Sequence, residues 1–244
     1  MEWFERWFGD EYLIVYEHRN TDEAEREVET IRKVLDLRGE ELVLDLCCGS
    51  GRHGIPLARL GCGVIGLDYS DKLLAIAEAS RPRDMKYPMF VRADARSTVF
   101  GDGTFDVVLN LFTSFGYFED NENVAFIRSI ARLLKPGGRF YIDYLNPPRV
   151  LAGLVPESKK ERNGITVIEN RMFNGSTQRL EKTITLIRDG SPQIFHESVH
   201  LYNCSEMLDM ISGARLSIDG VIGSINGDAY DESSERMILF GTRI

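Results

Sequence analysis

The sequence predicts an α/β protein: a doubly wound, mostly parallel sheet carrying a small antiparallel β insert. Three observations predict it. The apolar run Leu42–Leu46 breaks into the glycine-rich turn Cys47-Cys48-Gly49-Ser50-Gly51, and a helical pattern follows from Arg52 to Leu60. Apolar segments and helical patterns then alternate as far as about residue 145, the signature of βαβ units. Acids recur in or at the ends of successive strands, at Asp45, Asp68 and Asp94.

Residues 1–18 are rich in aromatics, with Trp3/Trp7 and Phe4/Phe8 spaced i,i+4, which predicts an amphipathic helix. It either packs on the body or closes as a lid with Tyr12, Tyr16, His18 and Arg19 turned inward. Asn20-Thr21-Asp22-Glu23 opens a second helix with a cap and early acids. Its stripe of Ala24, Val28, Ile31, Val34 and Leu35 would cover the sheet, and it stops before Gly39.

The strand–turn–helix at 42–60 is a cradle for a nucleotide-like ligand. Glycines permit the backbone angles of the turn and a close approach of main chain to ligand, and the helix N-terminus offers free N–H groups and a positive dipole end. Gly49-x-Gly51-x-x-Gly54 also fits the dinucleotide pattern, which alone is a weak signal. Asp45 argues against a dinucleotide, because a carboxylate beneath a pyrophosphate is unfavourable whereas an ammonium group would use it. Asp68 closes the strand Gly63–Asp68 and is placed for two ribose hydroxyls under either ligand.

Ser70 caps the next helix, Phe90–Ala95 carries Asp94, and Phe105–Leu111 is the fourth strand. The loop Phe112–Phe118 then mixes hydroxyls and aromatics at the C-terminal edge of the sheet, where ligands of open α/β folds sit. A helix leads to the fifth strand through Leu133-Leu134-Lys135-Pro136-Gly137-Gly138.

These pieces together resemble the class I S-adenosylmethionine-dependent methyltransferases: Asp45-Leu46-Cys47-Cys48-Gly49-Ser50-Gly51, Asp68, Asp94-Ala95, Phe105-Asp106-Val107-Val108 and Leu134-Lys135-Pro136-Gly137-Gly138. The resemblance covers roughly residues 40–145. It implies a Rossmann-like sheet of seven strands with a reversed last strand, and S-adenosyl-L-methionine as cofactor. Gly49 and Gly51 would pass under the methionyl part, with Cys47 in the same turn, and Asp45 would neighbour its amino group; apart from the resemblance, an inward-turned Arg19 of the lid would pair with the methionyl carboxylate. Asp68, followed by Tyr69, would hold the ribose diol, Asp94 and Ala95 the adenine, and Asn110 and Leu111 would ring the methionyl portion. Cys48 stands where the family usually has a small residue.

Asn146-Pro147-Pro148 is similar to a motif of methyltransferases that act on adenine and glutamine amides, but it follows the fifth strand and precedes Arg149, so it reads as a strand stop. Beyond it, Ile165–Phe173, Arg179–Arg188 and Gln193–Tyr202 read as three antiparallel strands joined at Asn174-Gly175-Ser176 and Asp189-Gly190-Ser191. Such an insert roofs a pocket or forms a homodimer surface; the preceding Glu157–Arg162 reads as a solvated loop. His196-Glu197-Ser198-Val199-His200 matches a zinc-protease pattern that requires a helix. On a strand the two histidines stand about 13 Å apart at ~3.3 Å per residue, so no metal is expected. Ser205–Ser212 reads as a helix and Leu216–Gly223 and Arg236–Thr242 as the last strands, with the loop 224–234 placed near the pocket mouth. The organisation expected is an N-terminal cover over 1–38, a cofactor core over 39–146, the insert over 147–203 and the end of the core over 204–244.

The net charge of −9 argues against a broad nucleic-acid surface. No apolar run is long enough to span a membrane, and four cysteines without framework spacing point to a reduced, cytoplasmic protein. The expected activity is methyl transfer to a small-molecule acceptor, an amine, with Tyr12, Tyr16, Tyr117 and His200 as candidates for steering its proton. The alternatives are a protein or RNA methyltransferase, a non-catalytic cofactor-binding protein and a nicotinamide dehydrogenase.

Overall fold

A computed structural model describes residues 7–16 and 21–244. Trp3, Phe4, His18, Arg19 and the expected cap Asn20 lie outside the described residues.

Helix α1 (Asp10–Val15) precedes α2 (Thr21–Val34), and a Rossmann-like core follows. Its elements are β1 (Leu42–Leu46), α3 (Gly54–Arg59), β2 (Gly63–Asp68), α4 (Asp71–Ser80), β3 (Met89–Arg92), β4 (Phe105–Asn110), α5 (Asp120–Leu133) and β5 (Leu134–Leu145). The short α6 (Pro147–Ala152) leads to β6 (Glu157–Arg162), β7 (Ile165–Asn174), β8 (Arg179–Arg188) and β9 (Ser191–His200). The chain closes with α7 (Cys204–Gly213), β10 (Leu216–Ile222) and β11 (Arg236–Arg243).

The main sheet has seven strands in the order β3-β2-β1-β4-β5-β11-β10. The pairs among β1 to β5 are parallel, whereas β11 runs antiparallel to both β5 and β10, giving the expected reversed last strand. Nearly unbroken apolar strands are what burial on both faces demands. On one face α2 lays Val28 and Ile31 over Val43, Val64, Val107 and Leu109. On the other, Phe126, Ile127 and Ile130 of α5 and Met207 and Ile211 of α7 meet Leu44, Val108 and Ile142. The strand order reverses between β1 and β4, so the loops after these strands open a crevice at their C-terminal ends.

The insert is a separate antiparallel sheet of four strands, β6-β7-β8-β9, not three. Glu157–Arg162 is a strand rather than a loop. Its charged side chains suit an edge, where they discourage pairing with other chains. Asn163 and Gly164, both at positive φ, make the two-residue turn that folds it onto β7. β5 ends at Leu145, and Pro147 starts α6, so the prolines stop the strand as the sequence predicts. Among the described residues no helix is long and apolar enough to cross a membrane, and all four cysteines are free thiols.

Candidate active site

The turn after β1 is shaped by backbone strain and one carboxylate. Cys47, Gly49 and Gly51 all have positive φ, an arrangement unusual for the non-glycine Cys47. At Gly51 a Cβ would come within 2.7 Å of Phe90 and 2.9 Å of Ala77, so glycine is also required by space. Asp68 accepts from Gly49 N–H at 2.8 Å and Ser70 N–H at 2.9 Å, fastening the turn to the end of β2. Burial pushes the Asp68 carboxyl up, against the pull of these backbone N–H groups. Two such bonds leave lone pairs on the carboxylate for further donors.

Asp45 lies behind the turn, 1 % exposed, and neither of its oxygens has a hydrogen-bond partner among the described residues. Burial, with smaller contributions from Asp68 and Glu27, raises its carboxyl to about 6 against the pull of His53 and Arg52. A buried carboxylate left unpaired is costly, and here it faces a cavity. Its neighbours His53 and Glu27 form a buried pair at 3.0 Å. Burial likewise drives the Cys47 thiol well above its ordinary range, keeping it neutral.

The cavity has two lobes that share Tyr12, Cys47, Gly49, Leu73, Phe112 and Ser114. The first is lined by Asp68, Tyr69, Asp94, Ala95 and Tyr117, with Phe8 and Phe118. The second is lined by Tyr16, Asp45, Leu111, Arg52 and His53. Residues from three strand ends, the loop after β4 and the N-terminal segment therefore converge at the reversal point of the sheet. Carboxylates among aromatic rings suit an organic cation bearing hydroxyls.

Opposite the glycine turn, Phe112 and Thr113 are also held at positive φ. Their tether is buried: Asp143 of β5 accepts from Phe112 N–H at 2.9 Å and pairs with Arg236 of β11 at 2.6 Å. Arg236 also donates to Thr113 Oγ1 at 2.7 Å. The Phe112 ring lies near the guanidiniums of both Arg52 and Arg236, 5.1 and 5.4 Å from its centroid. The reversed strand β11 thus fixes the loop that walls the cavity.

Several expected residues sit elsewhere. Asn110 does not line either lobe; it is fully buried and its side chain turns back to donate to Leu46 C=O at 3.2 Å. His200 does not line the cavity either: its Nδ1 is 2.9 Å from Asp120, and its ring stacks on Tyr202 at 3.9 Å. None of the loop 224–234 reaches the cavity, because buried Asn146 holds it through the carbonyls of Asp231, Glu232 and Ser234. Asp94 lines the first lobe, but Arg96 grips both its oxygens and holds its carboxyl low against the effect of burial. Gly51 shapes the turn without facing the cavity, and Arg19 is outside the described residues.

Sequence reasoning missed Phe8, Leu73, Arg52, His53 and Glu27. Arg52 and His53 adjoin the glycine turn and were readable as neighbours, but the Glu27–His53 pair joins α2 to that turn with no pattern to announce it.

A family model for a methyltransferase domain matches residues 43–138. The chain is 33% identical over 204 residues to a cypemycin N-terminal methyltransferase from Streptomyces sp, covering 81% of each chain. In structure it is similar to the CcbJ methyltransferase from Streptomyces caelestis, with a TM-score of 0.81, 23% identity and 98% of both chains covered. It also resembles the sugar N-methyltransferase KedS8 from Streptoalloteichus sp, with a TM-score of 0.69, 25% identity and 96% and 93% of the two chains covered.

Proposed function

Because the chain belongs to the class I S-adenosylmethionine-dependent methyltransferases, we propose that the acceptor of its methyl group is an amine, carried by a small molecule or by the free N-terminus of a short peptide. The observation that carries this reading is the wall of aromatic rings, Phe8, Tyr12, Phe112 and Tyr117, with the Ser114 hydroxyl, in the cavity beside the site that Asp45 offers the cofactor's own amino group. The names of two relatives, an N-terminal methyltransferase and a sugar N-methyltransferase, support the same chemistry.

The residues present fit S-adenosylmethionine. Asp45 is an orphaned buried acid for which an ammonium group is the natural partner. Asp68 keeps acceptor capacity for the ribose hydroxyls, and the Gly49–Gly51 turn leaves room for a ligand to pass close to the backbone. Ala95 and the remaining acceptor capacity of Asp94 suit the adenine edge, Tyr69 and Leu111 flank the two lobes, and Arg52, in the second lobe, takes the place expected of Arg19 beside a carboxylate. Bound there, the cofactor supplies an already activated methyl group, so this chain's task is to align and to exclude water.

Positioning two reactants is worth much of the barrier in such transfers. Leu73, Phe112 and the tyrosines shield the lobes; Tyr12 and Tyr117 line the wall that the acceptor nitrogen meets, whereas the Tyr16 hydroxyl is engaged by Glu197 and Lys182. The nitrogen must present its lone pair, so it arrives neutral, having left its proton to water.

The test is methyl uptake from labelled S-adenosylmethionine into amino acids, amino sugars and short peptides, beside phenols and quinols as non-amine acceptors. N-methylated products support the reading. Transfer to phenols or quinol carbons with none to amines would overturn it.

A further inference from the structure

The insert sheet contributes no side chain to the described lining of the cavity, yet it is joined to the N-terminal segment that does. The joint is Glu197, the central acid of the His-Glu-x-x-His stretch. It lies on β9 with its side chain 12 % exposed. Its carboxylate accepts from Trp7 Nε1 at 2.5 Å and lies 3.0 and 3.1 Å from Tyr16 Oη. On the neighbouring strand Lys182, its register partner, donates to Tyr16 Oη at 2.9 Å and sits 3.4 Å from Glu197. Lys182 is held in turn by Glu169 at 2.6 Å, which also pairs with Arg171.

Around this polar joint is an apolar one. Trp7 is fully buried, with its ring 5.0 Å from Phe195, in a cluster with Val15, Ile165, Val167, Ile184 and Leu186. At the opposite side the segment is tied to the cofactor core, where Ser70 Oγ donates to Phe8 C=O at 2.6 Å. Between these two ties lie Phe8 and Tyr12, which wall the cavity.

We propose that Glu197, with Lys182, is a positioning pair that sets the register of segment 7–16 on the insert and so places Phe8, Tyr12 and Tyr16 against the bound cofactor and acceptor. The pair rests on the reading of the cavity as their site. Charge-assisted hydrogen bonds are the strong ones, and these are largely shielded from water. Release of the segment would leave Glu197 and Lys182 with only each other and Glu169, at the cost of the bonds to Trp7 and Tyr16. The insert therefore acts on the reaction through the segment it holds.

The chain has two tryptophans, Trp3 and Trp7, so in a Trp3→Phe background, used for parent and variants alike, intrinsic tryptophan emission reports on Trp7 of this segment alone. The experiment compares the full-length parent with Glu197→Ala, Glu197→Gln and Tyr16→Phe. Emission is read without ligand, binding of S-adenosylhomocysteine is read by calorimetry, and steady-state kinetics are measured with an acceptor found in the screen. Glu197→Ala should shift emission to the red and weaken binding about tenfold or more, the range of lost hydrogen bonds to a charged group. KM for the cofactor should rise by more than kcat falls. Glu197→Gln, which keeps an acceptor oxygen for Trp7, should restore most of the parent emission and affinity.

A folded Glu197→Ala with parent emission and parent affinity would overturn the proposal, as would lost affinity at unchanged emission. If Glu197→Ala does not fold, Tyr16→Phe decides: parent emission and affinity overturn the proposal, and a red shift matched by weaker binding supports it. Failure of the parent itself to bind S-adenosylhomocysteine would count against the cavity assignment, whereas the ligand-free emission judges the positioning pair separately.

Discussion

Replacing Asp45 by Asn should stabilise the protein and weaken its grip on the cofactor at the same time. The side chain keeps its shape and loses its charge. In the folded protein the carboxyl sits at about 6 instead of its ordinary 3.8, because burial among Asp68 and Glu27 outweighs His53 and Arg52. The folded state therefore binds this proton more tightly than the unfolded chain. Stability contributed by the protonated acid is present at low pH and is lost as pH rises from about 4 through about 6. The gap corresponds to about 3 kcal/mol in all, of which about 2 kcal/mol falls between about pH 4.5 and about pH 8.

Urea unfolding of parent and variant at those two pH values reads the effect, because titrating groups that do not interact with Asp45 cancel in the difference. The stability advantage of Asp45→Asn should grow by about 2 kcal/mol toward the higher pH. Calorimetry with S-adenosylhomocysteine should show the opposite sign, a loss of about 1–3 kcal/mol for the missing partner of the amino group. A variant that is less stable at both pH values, or whose advantage does not change with pH, would refute the argument and make Asp45 an ordinary structural acid.

The remaining predictions use the same instruments. Asp68→Ala should fold and bind S-adenosylhomocysteine about 1–3 kcal/mol more weakly, having lost the acceptor for the ribose hydroxyls; unchanged affinity by calorimetry would remove Asp68 from the site. Arg236→Met leaves Asp143, 1 % exposed, without its counter-ion and frees the strained Phe112–Thr113 turn. It should cost about 3 kcal/mol or more in urea unfolding, and a loss below about 1 kcal/mol would show that the ion pair is not what holds that loop.

What the sequence made legible was what local grammar can state. A strand, a glycine turn and a helix are contiguous in Leu42–Arg59, so the cradle, Asp45 and Asp68 could be read without knowing any distant contact. The same holds for the reversed hairpin β10–β11. Glu157–Arg162 was lost because an edge strand made of charges has no apolar alternation, and only its Asn163-Gly164 turn betrays it. His200 and Asn110 were misplaced by a half-right inference: each stands at the end of a strand near the cavity, but one is claimed by Asp120 and Tyr202 and the other by the Leu46 carbonyl. Glu197 was seen only as part of a metal motif, because its partner Trp7 lies 190 positions away.

Several of the features that defied local reading collect at the crevice. Cys47, Phe112 and Thr113 bend against their preference, and Asp45 and the Glu27–His53 pair are buried polar side chains where apolar residues would be more stable. Away from that crevice the strands and helices follow plain patterns, with Val, Leu, Ile and Phe filling both faces of the sheet. Strain and unpaired burial gathered where two strand ends diverge mark a crevice shaped for a ligand. A ligand that gives Asp45 a cation would remove one of these costs. Stability and affinity should therefore trade against each other at Asp45, whereas at Arg236, whose charge is already balanced within the chain, they should fall together.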